Sequence, residues 1–261
     1  MVSVVYVINL ERSPDRWRDM QPILARMGFP HGIRFAAVDG THLDIEAAQR
    51  QGHLPADLSA FDAHCRRGEI GCALSHTAVL RDIVANRYST ALVLEDDIEL
   101  RGLPLTWRIR ARRAFNDLPA HWDIWFLYRC FDIRARIERL SFRTVKPFSP
   151  QGCAAYAVTL AGARKILAHL HPPTTAIDRV ISPLVQTRQL NAYAASPQLI
   201  QPSRHPSLIN AGNANKKWVR NGVNRPPEYW PSLYLAHLGE PPEPWLRRTW
   251  QDLLRRFRGG D

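Results

Sequence analysis

The sequence predicts an α/β fold that opens with a βαβ unit of a parallel sheet. Short apolar runs, of the kind that form strands buried on both faces, alternate along the chain with segments of helical period. This alternation is typical of parallel sheets joined by helical crossovers. The composition agrees, because 45% of the 261 residues are hydrophobic and 23% are charged, as in a chain that packs a globular core.

The first βαβ unit takes up the first forty residues. Residues 4–8 predict a buried strand, and a helix over 14–27 follows with Ser13 as its N-cap. Residues 33–38 predict a second strand that ends at an Asp-Gly turn. Because the start lacks a basic leader and a small-residue cleavage site, we expect a first strand there and not a signal peptide.

The later elements follow the same alternation. Residues 41–67 have little periodicity and predict a surface excursion with one short helix. A helix over 68–84 precedes a strand over 91–94. The remaining predictions are a helix over 105–118, strands over 123–128, 140–148 and 153–160, a helix over 161–170, a short helix from 177 and a strand over 191–195.

The C-terminal segment differs from the rest, so the predicted main domain spans 1–209. Residues 210–244 are rich in Pro, Asn and Gly and predict a linker or wrap. Residues 245–258 predict a basic amphipathic helix. Two interpretations of this helix stay open: it lies in an anionic membrane interface, or its apolar face packs on the main domain or on a second subunit.

The chain carries 35 basic against 24 acidic side chains, a net charge of +11. This excess suits an anionic partner such as nucleic acid, anionic lipid or phosphorylated small molecules. Nucleic acid has little support, since no recognition motif with interleaved aromatic residues is present. The four cysteines lack metal-like spacing and predict reduced thiols in a cytoplasmic protein.

An acidic triplet ends the strand over 91–94. Glu95, Asp96 and Asp97 follow its apolar residues directly. Adjacent carboxylates repel one another, and a hard divalent cation shared with substrate phosphates is the usual remedy. Open α/β sheets bind ligands at the carboxyl ends of their strands, where this triplet falls. In isolation the triplet would also suit a solvated acidic turn.

The triplet belongs to the last of three sequence blocks that occur in a fixed order along the chain. They are Val-Ile-Asn-Leu-Glu-Arg-Ser-Pro-Asp-Arg at 7–16 with Ala-Val-Asp-Gly at 37–40, Gly-Glu-Ile-Gly-Cys-Ala-Leu-Ser-His at 68–76, and Leu-Val-Leu-Glu-Asp-Asp at 92–97. A weaker block covers 155–167, with Ile-Asp at 177–178 after it. In this order the blocks resemble glycosyltransferase family 25, the lipooligosaccharide-type β-galactosyltransferases that are also similar to procollagen galactosyltransferases. The resemblance covers roughly residues 4–210.

The resemblance implies that 1–209 is a catalytic domain of the GT-A fold, with a mostly parallel, Rossmann-like sheet and helices on both faces. It implies a UDP-sugar donor, a galactose or glucose moved with inversion, and a lipooligosaccharide or other surface glycan as acceptor. It also implies Mn²⁺ or Mg²⁺ as cofactor. We expect a cytoplasmic enzyme, which lies peripherally on the inner face of the membrane if the first interpretation of the C-terminal helix holds.

The resemblance and the chemistry of the residues assign the metal site. Asp97 is the first candidate for a direct ligand, while Glu95 or Asp96 would contact ribose or metal-bound water, with Glu95 also a candidate ligand. His205 lies in a late polar loop and could supply an imidazole ligand, which suits Mn²⁺. A plain surface histidine is an equally good interpretation of His205.

The donor site is assigned from the first two blocks. Each candidate also has a structural interpretation: surface ion pairs for the arginines, a turn for Asp39, and core packing against the acidic strand for the Ser-His pair. Besides Glu95 and Asp96, the candidates are Asn9, Leu10, Arg12, Arg16, Asp39, Ser75 and His76.

Inversion needs one base that takes the proton of the acceptor hydroxyl. Asp178 is the first candidate, because it begins a helix after a Pro-rich break; a charge that complements the helix N-terminus is the alternative. Glu69 is the second candidate. The competing function is a non-catalytic glycan- or nucleotide-binding protein that retains the GT-A fold.

Overall fold

The computed structural model describes residues 2–203, except for residues 103, 131 and 133–135. The predicted linker over 210–244 and the predicted basic helix over 245–258 lie outside the described residues. The strands are β1 (Val4–Asn9), β2 (Ile33–Ala36), β3 (Thr90–Glu95), β4 (Ile98–Leu100), β5 (Ile124–Phe126), β6 (Glu138–Arg139), β7 (Thr144–Lys146), β8 (Ala155–Thr159), β9 (Ala192–Ala195) and β10 (Ile200–Pro202). The helices are α1 (Pro14–Met27), α2 (Ile45–Arg50), α3 (Arg66–Ala85), α4 (Pro104–Asn116), α5 (Leu160–Leu167) and α6 (Ile177–Gln186).

Eight of these strands form the central sheet, in the order β2-β1-β3-β8-β5-β9-β7-β6. The pairs β1–β2, β1–β3 and β5–β9 are parallel, whereas the pairs that involve β8 or β7 are antiparallel. Six strands of this sheet therefore run in one direction, and β8 and β7 run against them. The prediction of a mostly parallel α/β sheet is confirmed.

Both faces of the sheet are covered, as the continuous apolar runs predict. In β1, Tyr6 and Ile8 face a core that contains residues of α3, α5 and α6, while Val5 and Val7 face a second core with residues of α1 and α4. The alternation of side chains along a strand divides each apolar run between the two cores. A third, smaller cluster packs the excursion over 41–65 and its helix α2 against the start of α3.

Several boundaries differ from the sequence predictions. The predicted strand over 140–148 contains a turn and the short strand β7, which pairs with β6 just before the predicted range. The antiparallel pair of β4 and β10 was not predicted, because neither three-residue strand has a pattern apart from its partner 100 residues away. Ser13 stands at the N-cap position of α1 without a side-chain capping hydrogen bond.

The sheet places the functional candidates at one edge. β1 and β3 are parallel with Ile8 opposite Glu95, so the residues that follow both strands emerge together at the carboxyl edge. The end of β10 reaches the same point, because the Ser203 amide donates a hydrogen bond to the Asp97 carbonyl at 2.6 Å. Within the described ranges, no helix has the length and apolar character needed to cross a membrane.

Candidate active site

A cleft opens at the carboxyl edge of β1 and β3, between these strands, the turn after β2 and helix α3. Most of the residues predicted for the site line it: Leu10, Arg12, Arg16, Asp39, Ser75, His76, Glu95, Asp96 and Asp97. Asn9 is buried behind the lining, next to Asp96. Glu69 and Asp178 are not among the lining residues, and His205 lies outside the described residues.

Asp96 is neutralised inside the protein. Arg16 donates to its Oδ1 at 2.8 Å, and the Asn9 amide donates to its Oδ2 at 2.6 Å. The Arg16 and Asp96 side chains are each only 9% exposed. Arg34 in turn donates to the Asn9 side-chain oxygen at 2.7 Å, which fixes the orientation of that amide. The middle acid of the triplet therefore has a structural partner of its own.

The other two acids of the triplet carry the unbalanced negative charge. Burial, followed by repulsion from Glu95 and Asp96, raises the pKa of Asp97 to about 7. Glu95 is partly exposed and ends β3. A cation bound between these carboxylates would relieve the repulsion, and their oxygens are the ligands that Mg²⁺ and Mn²⁺ prefer. The donor set fits the implied metal.

His76 connects Glu95 to the core. Its Nδ1 lies 3.0 Å from the Tyr156 hydroxyl, its Nε2 lies 3.3 Å from Glu95 Oε1, and its ring stacks on that of Tyr156. The side chain is buried in the middle of α3 and not at a helix end. The structural interpretation of His76, packing against the acidic strand with a hydrogen bond in the core, is therefore present, and its contact with a donor stays a prediction.

Cys72 is a residue of the cleft that the sequence interpretation missed. Its Sγ lies 4.0 Å from Glu95 Oε1, and its donor atom lies within 4.8 Å of those of His76 and Glu95. Burial, with the charges of Glu95, Asp178, Asp97 and Glu69, raises the pKa of the thiol well above its usual value. The sequence could have indicated Cys72 as a site residue, because positions 72 and 76 share one face of a helix.

Arg12 and Asp39 form the outer wall of the cleft. The Arg12 Nε lies 2.5 Å from Asp39 Oδ2, and the Arg12 side chain is 44% exposed. Hydrogen bonds from Arg12 and from Thr41 hold the pKa of Asp39 well below its usual range. The Thr41 amide donates to Asp39 Oδ1 at 3.0 Å and closes the turn, as the structural interpretation of Asp39 expects. Its contact with a donor stays a prediction.

The turn after β2 sits directly on α3. A Cβ atom at Gly71 would lie 2.6 Å from the Val38 carbonyl oxygen, and one at Gly40 would overlap the Arg67 carbonyl oxygen. Ser75 stabilises the contact between this turn and α3. Its hydroxyl accepts a hydrogen bond from the Val38 amide at 2.8 Å and donates one to the Gly71 carbonyl at 2.6 Å. Two glycines and one serine thereby set the width of the cleft on this side.

The two candidate bases lie beside the cleft. Asp178 begins α6, and its carboxylate accepts from the Gly152 amide at 3.0 Å. Glu69 accepts from the Asp62 amide at 2.8 Å, and its other oxygen pairs with Arg179 at 3.2 Å. Both carboxylates contribute to the high pKa of the Cys72 thiol, which places their charges within electrostatic range of the cleft.

A Rossmann-like sheet that presents an acidic triplet at its carboxyl edge, beside a cleft with arginines, fits the GT-A class of fold. Comparisons with known proteins indicate similarity to one family within that class. The sequence profile described as "Glycosyltransferase family 25 (LPS biosynthesis protein)" matches residues 2–103. This part of the chain is therefore similar to glycosyltransferase family 25.

Named relatives agree with the family but differ in their stated activity. The chain is similar to the human protein named inactive glycosyltransferase 25 family member 3, with 34% identity over 173 residues, 63% of this chain and 28% of that protein. Its identity to the mouse protein of that name is 29% over 224 residues, 77% of this chain and 37% of that protein. A glycosyltransferase 25 family member of Aedes aegypti is 26% identical over 234 residues, 78% of this chain and 36% of that protein. The chain thus spans between about a quarter and two fifths of these proteins.

Proposed function

We propose that this protein is a metal-dependent, inverting glycosyltransferase. It moves galactose or glucose from a UDP-sugar to a lipooligosaccharide or another surface glycan. The observation that supports this most directly is the charge state of the triplet: Asp96 is neutralised by Arg16, whereas the pKa of Asp97 is raised beside Glu95. Two adjacent carboxylates that repel each other at the carboxyl edge of an α/β sheet are suited to bind a divalent cation and, through it, a nucleotide phosphate.

Asp97 and Glu95 are the proposed ligands of Mn²⁺ or Mg²⁺, with His205 as a third. The cation, when bound, supplies positive charge for the diphosphate that leaves. The protein's own part is to hold the two carboxylates in place, through His76 on Glu95 and the Ser203 amide on Asp97.

The donor is bound by residues of the first two sequence blocks. Arg12 is exposed at the mouth of the cleft and can turn from Asp39 to a phosphate, to which a guanidinium binds in bidentate fashion. Asp39 is ionised and suited to accept from ribose hydroxyls. Leu10, Ser75 and His76 line the space between them, and Asn9, Arg16 and Asp96 form the buried support of this wall.

Asp178 is the proposed base for the acceptor hydroxyl. Its carboxylate is held by single amide groups, which leaves lone pairs free for a proton. Glu69 is the second choice, because its pair with Arg179 stabilises the ionised form and opposes proton uptake. Asp178→Asn should lower the rate of transfer about a hundredfold or more with little effect on donor binding.

Binding of UDP tests the proposed metal site. UDP with Mn²⁺ should raise the melting temperature of the full chain, and EDTA or the change Asp97→Asn should abolish the effect. Glu46→Gln, which removes an exposed carboxylate on α2, should leave it intact. The proposal fails if UDP stabilises the protein equally with EDTA and with Mn²⁺, or if Asp97→Asn retains the full shift.

The alternative, a binding protein without catalysis, has one observation in its favour: the human and mouse relatives are named inactive. The intact triplet argues for the enzyme. Hydrolysis of UDP-galactose, UDP-glucose and other UDP-sugars, measured with Mn²⁺, separates the two. Metal-dependent UDP binding without release of UDP from any donor would favour the binding protein.

We propose a cytoplasmic location with peripheral membrane contact, where the protein would meet a lipid-linked acceptor. The predicted helix over 245–258 would supply this contact. Removal of residues 245–261 should then shift the protein from the membrane to the soluble fraction of cells, whereas an unchanged distribution would contradict this role.

A further inference from the structure

Exposed apolar side chains are concentrated in one region of the described chain. The large hydrophobic residues that stand exposed there are Ile33, Ile109, Leu140 and Phe142. Three of these four belong to helix α4 and to the turn between β6 and β7. Phe142, at the apex of that turn, is 86% exposed. Such exposure of an aromatic side chain beside a second apolar residue is typical of a contact surface.

The turn is in direct contact with the C-terminal end of the helix. Arg143 in the turn donates to both carboxylate oxygens of Asp117, which follows α4, at 2.9 and 3.0 Å. The Thr144 hydroxyl also donates to the Ala114 carbonyl at 3.1 Å. We give the name basic rim to a set of exposed residues of α4, of the end of β6 and of this turn: Ile109, Arg112, Arg113, Arg139, Leu140, Phe142 and Arg143.

The basic rim lies in a strongly positive part of the chain. Residues 104–117 and 136–146 contain eight cationic side chains against two carboxylates, a net charge of +6. The carboxylates are themselves engaged, Asp117 by Arg143 and Glu138 by Lys146. A surface with apolar side chains at its apex and arginines around them complements an anionic lipid bilayer.

The register of the sheet places the turn at the same edge as the cleft. Thr144, the first residue of β7, is opposite Ala195, the last residue of β9. β9 runs in the direction of β1 and β3, so the turn before Thr144 emerges at their carboxyl edge. In the sheet order β7 is four positions from β3, a distance of about 19 Å at the usual strand spacing.

We propose that the basic rim docks on an anionic lipid bilayer, with Phe142 and Leu140 in the interface and the arginines on the lipid phosphates. The surface is separate from the predicted helix over 245–258. The role of this membrane contact in the reaction rests on the proposed function. A bilayer at this edge would present a lipid-linked acceptor about 19 Å from the acidic triplet. Binding to lipid does not itself depend on catalysis.

Co-sedimentation of the full chain with vesicles tests the basic rim without donor, metal or acceptor. The protein should sediment with vesicles of phosphatidylethanolamine that contain about 30% phosphatidylglycerol, and it should not sediment with vesicles of phosphatidylcholine. The change Leu140→Ser with Phe142→Ser should weaken binding about tenfold or more, and Arg112→Gln with Arg113→Gln by a similar factor. Ile33→Ser removes an apolar side chain on β2 that is about as exposed as Leu140, and should have no effect.

These variants keep residues 245–258, so their loss of binding reports on the basic rim alone. Wild-type affinity in both double variants would overturn the proposal and assign any lipid binding to another segment. Equal binding to neutral and anionic vesicles would also overturn it. Because no turnover is measured, a chain that hydrolyses no UDP-sugar can still confirm the surface, and an active enzyme can still refute it.

Discussion

Arg16 and Asp96 form a buried ion pair at 2.8 Å between the start of α1 and the end of β3. The pair joins two segments that are 80 residues apart in the chain. It also distinguishes the three acids of the triplet. The guanidinium neutralises the middle carboxylate, Asp96, so the two neighbouring carboxylates are the ones available to a ligand of the cleft.

Arg16→Met should destabilise the protein strongly. The change retains the apolar part of the side chain but leaves Asp96 buried without a cation, which costs about 3–5 kcal/mol. Arg12→Met is the matched control: its pair with Asp39 is partly exposed and should contribute at most about 1 kcal/mol. Urea denaturation measures both, and equal midpoints for Arg16→Met and wild type would contradict a structural role of the pair.

Asp97→Asn should increase stability at neutral pH in the presence of EDTA. The folded pKa of Asp97, about 7, lies above its unfolded value of 3.8, so the folded state binds more protons between these limits. Stability from this group is therefore full below about pH 4 and declines as the pH rises towards 7, by at most about 4 kcal/mol. The variant lacks this decline.

Urea denaturation at pH 4.5 and pH 8 checks this expectation. The difference between Asp97→Asn and wild type should grow from the lower pH to the higher, and Mn²⁺ should reduce it at pH 8. Glu46→Gln should follow wild type at both values. A difference that is the same at pH 4.5 and pH 8 would show that Asp97 ionises normally.

Gly71→Ala should disrupt the wall of the cleft. The added methyl group meets the Val38 carbonyl oxygen at 2.6 Å, so α3 must move from the turn after β2. We expect a loss of about 1–3 kcal/mol, as for other overpacked sites, together with weaker UDP binding. Ala78→Ser, which adds one atom on a half-exposed position of the same helix, should change either quantity only slightly.

Tyr156→Phe should weaken the support of Glu95. The change removes the hydroxyl that bonds to His76 Nδ1 and keeps the buried ring, at a cost of about 1–3 kcal/mol. We expect an additional loss of Mn²⁺-dependent UDP binding, because His76 then holds Glu95 less firmly. Tyr88→Phe, at a half-buried ring packed against Tyr6, is the control. Unchanged metal dependence in Tyr156→Phe would assign a purely structural role to the hydroxyl.

Alkylation should separate the cysteines by reactivity. Cys130 is exposed, whereas burial raises the pKa of the Cys72 and Cys153 thiols well above the usual value. Since the thiolate is the nucleophile, iodoacetamide at pH 8 should modify Cys130 first and the other two only on unfolding. Mass spectrometry of timed samples measures this, and early modification of Cys72 would contradict the raised pKa of its thiol.

The sequence by itself determined the alternation of strands and helices, the position of the acidic triplet at the end of a buried strand, and the turn at Asp39. These features depend on local patterns: apolar runs, helical period and residues that favour turns. It also brought most of the donor residues to one cleft, because parallel strands end at the same edge of a sheet.

Only the tertiary structure decided which member of the triplet is neutralised. Arg16 pairs with Asp96 from 80 residues away, and Cys72, His76 and Tyr156 lie around Glu95 although α3, β3 and β8 are separate in the chain. The placement of the turn at 140–143 at the same edge of the sheet as the cleft depends likewise on the pairing of β7 with β9. Charge and hydrogen bonding act through space, so side chains that are brought together by packing carry no common signal in a single sequence.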